Sequence, residues 1–152
     1  MKILIPNVIT PEEAKILLDS NPNKYNRKFD TPLILKIREI IESEVGEINW
    51  DKPSYIRREG NSFGHYSEMG HPWHIDTGGD YGSEGHMMWC DYGCSILLND
   101  KDTSGFLEYR DGTKILPKEH YCSLAMHSSD VEHRAYTDGT RETLLCFVQR
   151  KL

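Results

Sequence analysis

The run Pro72-Trp73-His74-Ile75-Asp76-Thr77 constrains the fold more than any other stretch. On a β-strand, residues two apart project from one face, about 7 Å apart at a rise of ~3.3 Å per residue. His74 and Asp76 then present an imidazole and a carboxylate side by side, a pair able to chelate a divalent metal. A third ligand from far along the chain would complete a set of two His and one carboxylate that leaves the other metal positions open. His133 is the candidate for that ligand, and His127 competes with it. The chain is therefore organised around this run and an answering segment, Val131 to Thr143. An H-x-D pair arises often by chance, so its meaning depends on the residues C-terminal to His133.

Those residues belong to a pair of runs, Val131 to Tyr136 and Arg141 to Val148, flanking Thr137-Asp138-Gly139. Read as a hairpin, the pair allows two loop lengths. A two-residue Asp138-Gly139 turn pairs Tyr136 with Arg141 and leaves His133 on the opposite face. A three-residue loop with Gly139 in the left-handed position pairs Ala135 with Arg141 and His133 with Thr143. In that register His133, Arg141 and Thr143 share a face with Leu145 and Phe147. A guanidinium turned into a β-sandwich is costly unless it meets an anion, and it binds a carboxylate as a bidentate fork. The competing reading puts Arg141 on the outer face, where it only keeps the hairpin soluble.

The rest of the chain supplies the frame. Lys2 to Ile5 reads as an edge strand. Thr10-Pro11-Glu12-Glu13 opens a helix, with Thr10 as N-cap, Pro11 at the first helical position and Glu13 closing a capping box. Thr31-Pro32 opens a second helix, whose stripe of Leu33, Ile34, Ile37, Ile40, Ile41 and Val45 ends at Gly46. From Asn49 onward the segments are short and bounded by Gly, Pro, Asn and Asp, as in an all-β sandwich or barrel. Strands are expected at Ser54–Arg58, Phe63–Tyr66, Trp73–Asp76, Ser95–Leu98, Phe106–Tyr109 and Tyr121–Met126, with a hairpin turn at Asp111-Gly112. Thr77 to Gly85 reads either as a substrate lid or as a plain surface loop. Its glycines do not open an apolar helix, which argues against a phosphate cradle.

Length and composition bound the function. A chain of 152 residues fits one domain over 1–152. No apolar run approaches the ~20 residues of a membrane span, and no export signal opens the sequence. Cys90, Cys94, Cys122 and Cys146 form no C-x-x-C pair, which argues against a zinc ribbon and for reduced thiols in a cytoplasmic protein. A formal charge of −6 disfavours nucleic acid as a partner. His71 lies three before His74, but an extended strand turns it toward the opposite face, and His65, His86 and His120 read as solvent-facing or hydrogen-bonded loop residues. Trp73, Trp89 and Tyr92 read as packing groups or as lining for a substrate cleft.

Taken together, these residues resemble the Fe(II)/2-oxoglutarate-dependent dioxygenases, in their prolyl-4-hydroxylase-like branch. The resemblance rests on His74-Ile75-Asp76, then Ser95 to Asp100, Ser104-Gly105-Phe106-Leu107-Glu108, Ser123 to Met126, His133-Arg134-Ala135 and Gly139 to Thr143. It covers roughly Met1 to Leu152. It implies a mainly β chain with N-terminal helices, a double-stranded β-helix (jelly roll) buttressed by two helices. It further implies Fe(II) on His74, Asp76 and His133, and 2-oxoglutarate held by Arg141 with help from Thr143. Tyr66 stands where this branch often has a tyrosine that hydrogen-bonds the co-substrate. Ascorbate is a further candidate cofactor. The implied reaction consumes O2 and hydroxylates a small molecule or a peptide side chain, releasing succinate and CO2.

Three details refine the resemblance. The carboxylate of Asp76 favours hydroxylation over halogenation. Arg141 stands where collagen-type prolyl hydroxylases usually carry Lys. Phe147 stands where the nucleic-acid demethylases carry a second Arg. The rival readings are a cupin-type metal enzyme that does not use 2-oxoglutarate, for which an H-x-H and a downstream Glu are missing, and a non-catalytic metal- or ligand-binding module.

Overall fold

The architecture is organised by one long strand with neighbours along both of its edges. The computed structural model describes residues 1–20, 32–50, 53–61, 73–76 and 89–151. In chain order the elements are β1 (Lys2–Ile5), α1 (Pro11–Ser20), α2 (Pro32–Val45), β2 (Ile48–Trp50), β3 (Ser54–Glu59), β4 (Tyr92–Leu97) and β5 (Thr103–Tyr109). The remaining elements are β6 (Lys114–Ile115), α3 (Pro117–His120), β7 (Leu124–Ser128) and β8 (His133–Arg150). The strands form a curled antiparallel sheet in the order β1-β7-β4-β8-β5-β6, and β2 and β3 also pair with β8.

The expected hairpin at Thr137-Asp138-Gly139 does not form. β8 runs unbroken through it from His133 to Arg150. β5 pairs with its first part, from Tyr109↔His133 to Thr103↔Gly139, and β4 continues along the rest, from Leu97↔Thr143 to Tyr92↔Val148. β3 and β2 pair with β8 from Glu59↔Thr140 to Ile48↔Arg150. The reason is visible at Gly139, whose φ is +93°. A Cβ there would stand 2.0 Å from the carbonyl oxygen of Asp102. The glycine admits a close approach of the β4–β5 connection where a local turn was expected.

Alternation along β8 then decides the faces. Thr137, Arg141 and Thr143 are buried toward the interior, as is His133, while Leu144, Cys146 and Val148 are buried on the other side. That other side packs on the two helices: Ala14, Leu17, Ile34, Ile37 and Ile41 form one apolar cluster with Ile96, Leu124, Met126, Leu144 and Val148. The helices buttress one sheet, as expected. The capping box closes α1, Glu13 N–H donating to Thr10 Oγ1 (3.1 Å) and Thr10 N–H to Glu13 Oε1 (2.9 Å). Gly46, at φ +88°, ends α2 by donating to Glu42 O. The Asp111-Gly112 turn joins β5 to β6, with Gly112 at φ +93°. All four cysteines are free and buried. Among the described residues no helix is long and apolar enough to cross a membrane.

Candidate metal centre and anion pocket

His74, Asp76 and His133 each offer a ligand atom, and the three atoms lie within 4.8 Å of one another. Backbone pairing brings them together. His74 N–H donates to His133 O (3.0 Å) and His133 N–H to His74 O (2.9 Å), an isolated antiparallel bridge. Asp76 N–H donates to Ser129 O (3.0 Å), which ties the far end of the segment. Trp73 anchors the near end, its ring held between the guanidiniums of Arg110 (4.6 Å) and Arg134 (4.2 Å). Those two arginines are in turn fixed by Glu132 and Glu108.

The donor chemistry suits a divalent cation. Nδ1 of His133 lies 2.8 Å from Val131 O, a bond in which the ring N–H donates, so Nε2 keeps its lone pair for a metal. Burial pushes the Asp76 carboxyl up, but the hydrogen bond from His127 and the neighbouring imidazole of His133 outweigh it and hold the group below the usual carboxylate range. It is therefore ionised at neutral pH, as a ligand must be. Two imidazoles and one carboxylate, from β8 and the segment bridged to it, fit an iron(II) set with open positions.

His127, the competing third ligand, has another role. Its Nε2 lies 2.8 Å from Asp76 Oδ2, and its Nδ1 is 3.3 Å from the Tyr109 hydroxyl. Tyr109 O–H thus donates to a neutral His127, whose Nε2–H donates to the carboxylate. Gly93 leaves the room this needs: a Cβ there would fall 2.1 Å from Asp76 Oδ2 and 2.9 Å from His127 Nε2.

The second half of the site is a buried cation. Arg141 is 2% exposed, and its Nη2 lies 3.1 Å from His120 Nδ1. Nε and Nη1 of Arg141 have no hydrogen-bond partner among the described residues, nor do the buried hydroxyls of Thr143 and Thr137. Burial, and then the charge of Arg58 opposite it on β3, bring the guanidinium down to about 10, so it remains charged at neutral pH. A buried charge beside unpaired donors is costly, and an anion that receives them offsets that cost. The register that put Arg141 and Thr143 on the face of His133 is thus right in its outcome and wrong in its cause: a continuous strand produces it.

No protein-family model matches the sequence, and no curated protein does. Solved structures do. A prolyl-4-hydroxylase from Pseudomonas putida has a TM-score of 0.54 at 12% identity, over 99% of this chain and 93% of its own. HygX from Streptomyces hygroscopicus, with nickel and 2-oxoglutarate bound, has a TM-score of 0.57 at 11% identity, over 99% and 82%. An oxidoreductase of the 2OG-Fe(II) oxygenase family from Burkholderia pseudomallei has 0.52 at 13% identity, and the match covers 76% of this chain and about half (52%) of that one. The fold is that of the 2OG-Fe(II) oxygenases. It is mainly β, a jelly roll with its helices on one side.

Of the residues singled out from sequence, His74, Asp76 and His133 lie together, and Arg141 and Thr143 are buried at inward positions of the strand that carries His133. Tyr66, the expected strand Phe63–Tyr66 and the segment Thr77–Gly85 lie outside the described residues, as do His65, His71 and His86. Three residues were missed. His120 is not a loop histidine: it ends the short helix α3 and is fully buried. The one sequence signal for it was Pro117, a helix-start residue three positions earlier. Thr137 shares the inward parity of Arg141, and the turn reading hid it. Gly93 carried no signal.

Proposed function

We propose that the chain is an Fe(II)- and 2-oxoglutarate-dependent hydroxylase of a small molecule or a peptide side chain, working as one catalytic domain over 1–152. The observation that carries this reading is the buried Arg141, with two nitrogens unpartnered among the described residues, on the same strand and face as His133. A metal trio alone fits many chemistries. A trio facing a charged carboxylate receptor fits an acidic co-substrate that reaches from one to the other. A fold neighbour that holds nickel and 2-oxoglutarate supports the assignment, and a prolyl-4-hydroxylase among the neighbours is consistent with a peptide substrate.

His74, Asp76 and His133 would hold the iron. Bound there with 2-oxoglutarate, it supplies the activation of O2 by which substrate is hydroxylated and succinate and CO2 are released. The protein's own part is positioning. Arg141 offers the far carboxylate its guanidinium N–H groups, of which Nε and Nη1 have no partner among the described residues, and the similarly unpartnered hydroxyls of Thr143 and Thr137 are available as further donors. Val131 O fixes the His133 tautomer, and His127, steadied by Tyr109, holds the outer carboxylate oxygen of Asp76. Tyr66 is proposed as a further hydrogen-bond donor to the co-substrate, ascorbate as an accessory reductant, and the cytoplasm as the location in which the four thiols stay reduced.

Anaerobic absorption spectroscopy tests this assignment. Fe(II) with 2-oxoglutarate should give wild-type protein a visible charge-transfer band, absent in His74→Ala. A featureless wild-type spectrum would contradict the proposal.

A further inference from the structure

Arg141 is held by a group that carries no charge. Its hydrogen-bond partner among the described residues is Nδ1 of His120, at 3.1 Å, and no carboxylate there bonds it. His120 is in turn fixed from the far side of its ring, where Nε2 lies 3.1 Å from Ser95 Oγ and 3.1 Å from Ser95 O. The carbonyl can only accept, so Nε2 carries the proton and Nδ1 is the acceptor for the guanidinium. Burial, reinforced by the charge of Arg141, brings the imidazole down to about 3. His120 is therefore neutral throughout the physiological range. Most buried arginines are matched by a carboxylate, which supplies both the hydrogen bond and the opposite charge. Here the described residues supply only the hydrogen bond.

We infer that His120 is a positioning residue for the co-substrate: it orients Arg141 while leaving its charge uncompensated, so that the pocket selects a carboxylate. This rests on the reading of Arg141 as the 2-oxoglutarate receptor. Beside the bond to Nη2, Nε and Nη1 are without a partner among the described residues, as are the buried hydroxyls of Thr143 and Thr137. A carboxylate in the place of His120 would hold the same nitrogen and remove the attraction for an incoming anion. An amide in that place would hold the nitrogen and keep the attraction.

Titration of Ni(II)-loaded protein with 2-oxoglutarate separates these possibilities, because nickel supports binding without turnover. His120→Asn places a neutral acceptor near the position of Nδ1 and should keep Kd within about threefold of wild type. His120→Asp should weaken 2-oxoglutarate by about tenfold or more while its affinity for Ni(II) stays within about threefold. Equal loss in both variants, or loss of Ni(II) and 2-oxoglutarate together, would make His120 a structural group and overturn the inference. So would an Asp variant that binds like wild type. If the Asp variant does not fold, His120→Leu replaces it: loss in Leu with retention in Asn supports the inference, and equal affinity in the two overturns it. Failure of wild-type protein to bind 2-oxoglutarate would instead overturn the proposed function, and this inference with it.

Discussion

Oδ2 of Asp76 lies 2.8 Å from Nε2 of His127, while Oδ1 of the same carboxylate lies 3.2 Å from Nε2 of His133. Each oxygen faces a different imidazole, and the two histidines do different work. His133 belongs to the metal trio. His127 turns the carboxylate so that one oxygen is bound within the protein and the other faces the candidate metal position.

Removing the donor should therefore loosen the metal without removing a ligand. His127→Leu is expected to weaken Fe(II) or Ni(II) binding by roughly 10- to 100-fold, read by metal titration. His127→Gln, whose amide can still donate to Oδ2, should recover part of the loss. Unchanged affinity in the Leu variant would mean that Asp76 is oriented by other groups.

Gly93 makes a sharper steric prediction. Its Cβ would fall 2.1 Å from Asp76 Oδ2, so Gly93→Ala must displace the carboxylate. The substitution lies on β4, whose pairing with β7 and β8 is backbone-made. Folding should survive by circular dichroism, and metal stoichiometry should fall well below one per chain.

Arg141 should show a conflict between stability and function. A buried guanidinium with two nitrogens unpaired among the described residues destabilises the free protein, and replacing it with an apolar side chain of similar length removes that cost. Arg141→Met is expected to raise stability by on the order of 1–2 kcal/mol in urea unfolding. It should also raise the 2-oxoglutarate requirement by at least about tenfold. Loss of stability instead would imply that Arg141 is compensated within the fold.

His120 gives a pH dependence whose sign is fixed. Its folded-state value is about 3, and an unfolded histidine titrates near ~6.5. Between those values the unfolded chain binds the extra proton, so the contribution is complete above pH ~6.5 and is lost as pH falls toward 3. Wild type should lose about 1 kcal/mol from this group between pH 7 and 5.5. The matched difference in His120→Asn, measured by urea unfolding at both pH values, should be smaller by that amount.

How legible the molecule was from its sequence depended on range. The α1 capping box and the Gly46 and Gly112 turns were local, and each sits where its residue types require. His74, Asp76 and His133 were legible because few arrangements put such groups two apart on a strand and answer them with a distal histidine. Asp138-Gly139 misled for a physical reason. The same dipeptide that makes a hairpin turn also admits a close backbone, and the Asp102 carbonyl that approaches it comes from a distant connection. Alternation rescued the conclusion, since even spacing along one strand keeps His133, Arg141 and Thr143 on one face. His120 was illegible because its importance lies in what it touches, Arg141 and Ser95, and neither is near it in sequence.

The most direct test of the central claim is succinate formation by Fe(II)-loaded protein given 2-oxoglutarate and O2, with wild type compared with His74→Ala and Arg141→Ala. No prime substrate is needed, because slow uncoupled decarboxylation of the keto acid is itself the signal. Wild type should release succinate, His74→Ala should release none, and Arg141→Ala should recover activity only at high 2-oxoglutarate. Wild-type protein that binds Fe(II) yet neither chelates 2-oxoglutarate nor forms succinate would contradict the proposed function and leave the metal trio to a chemistry without that co-substrate.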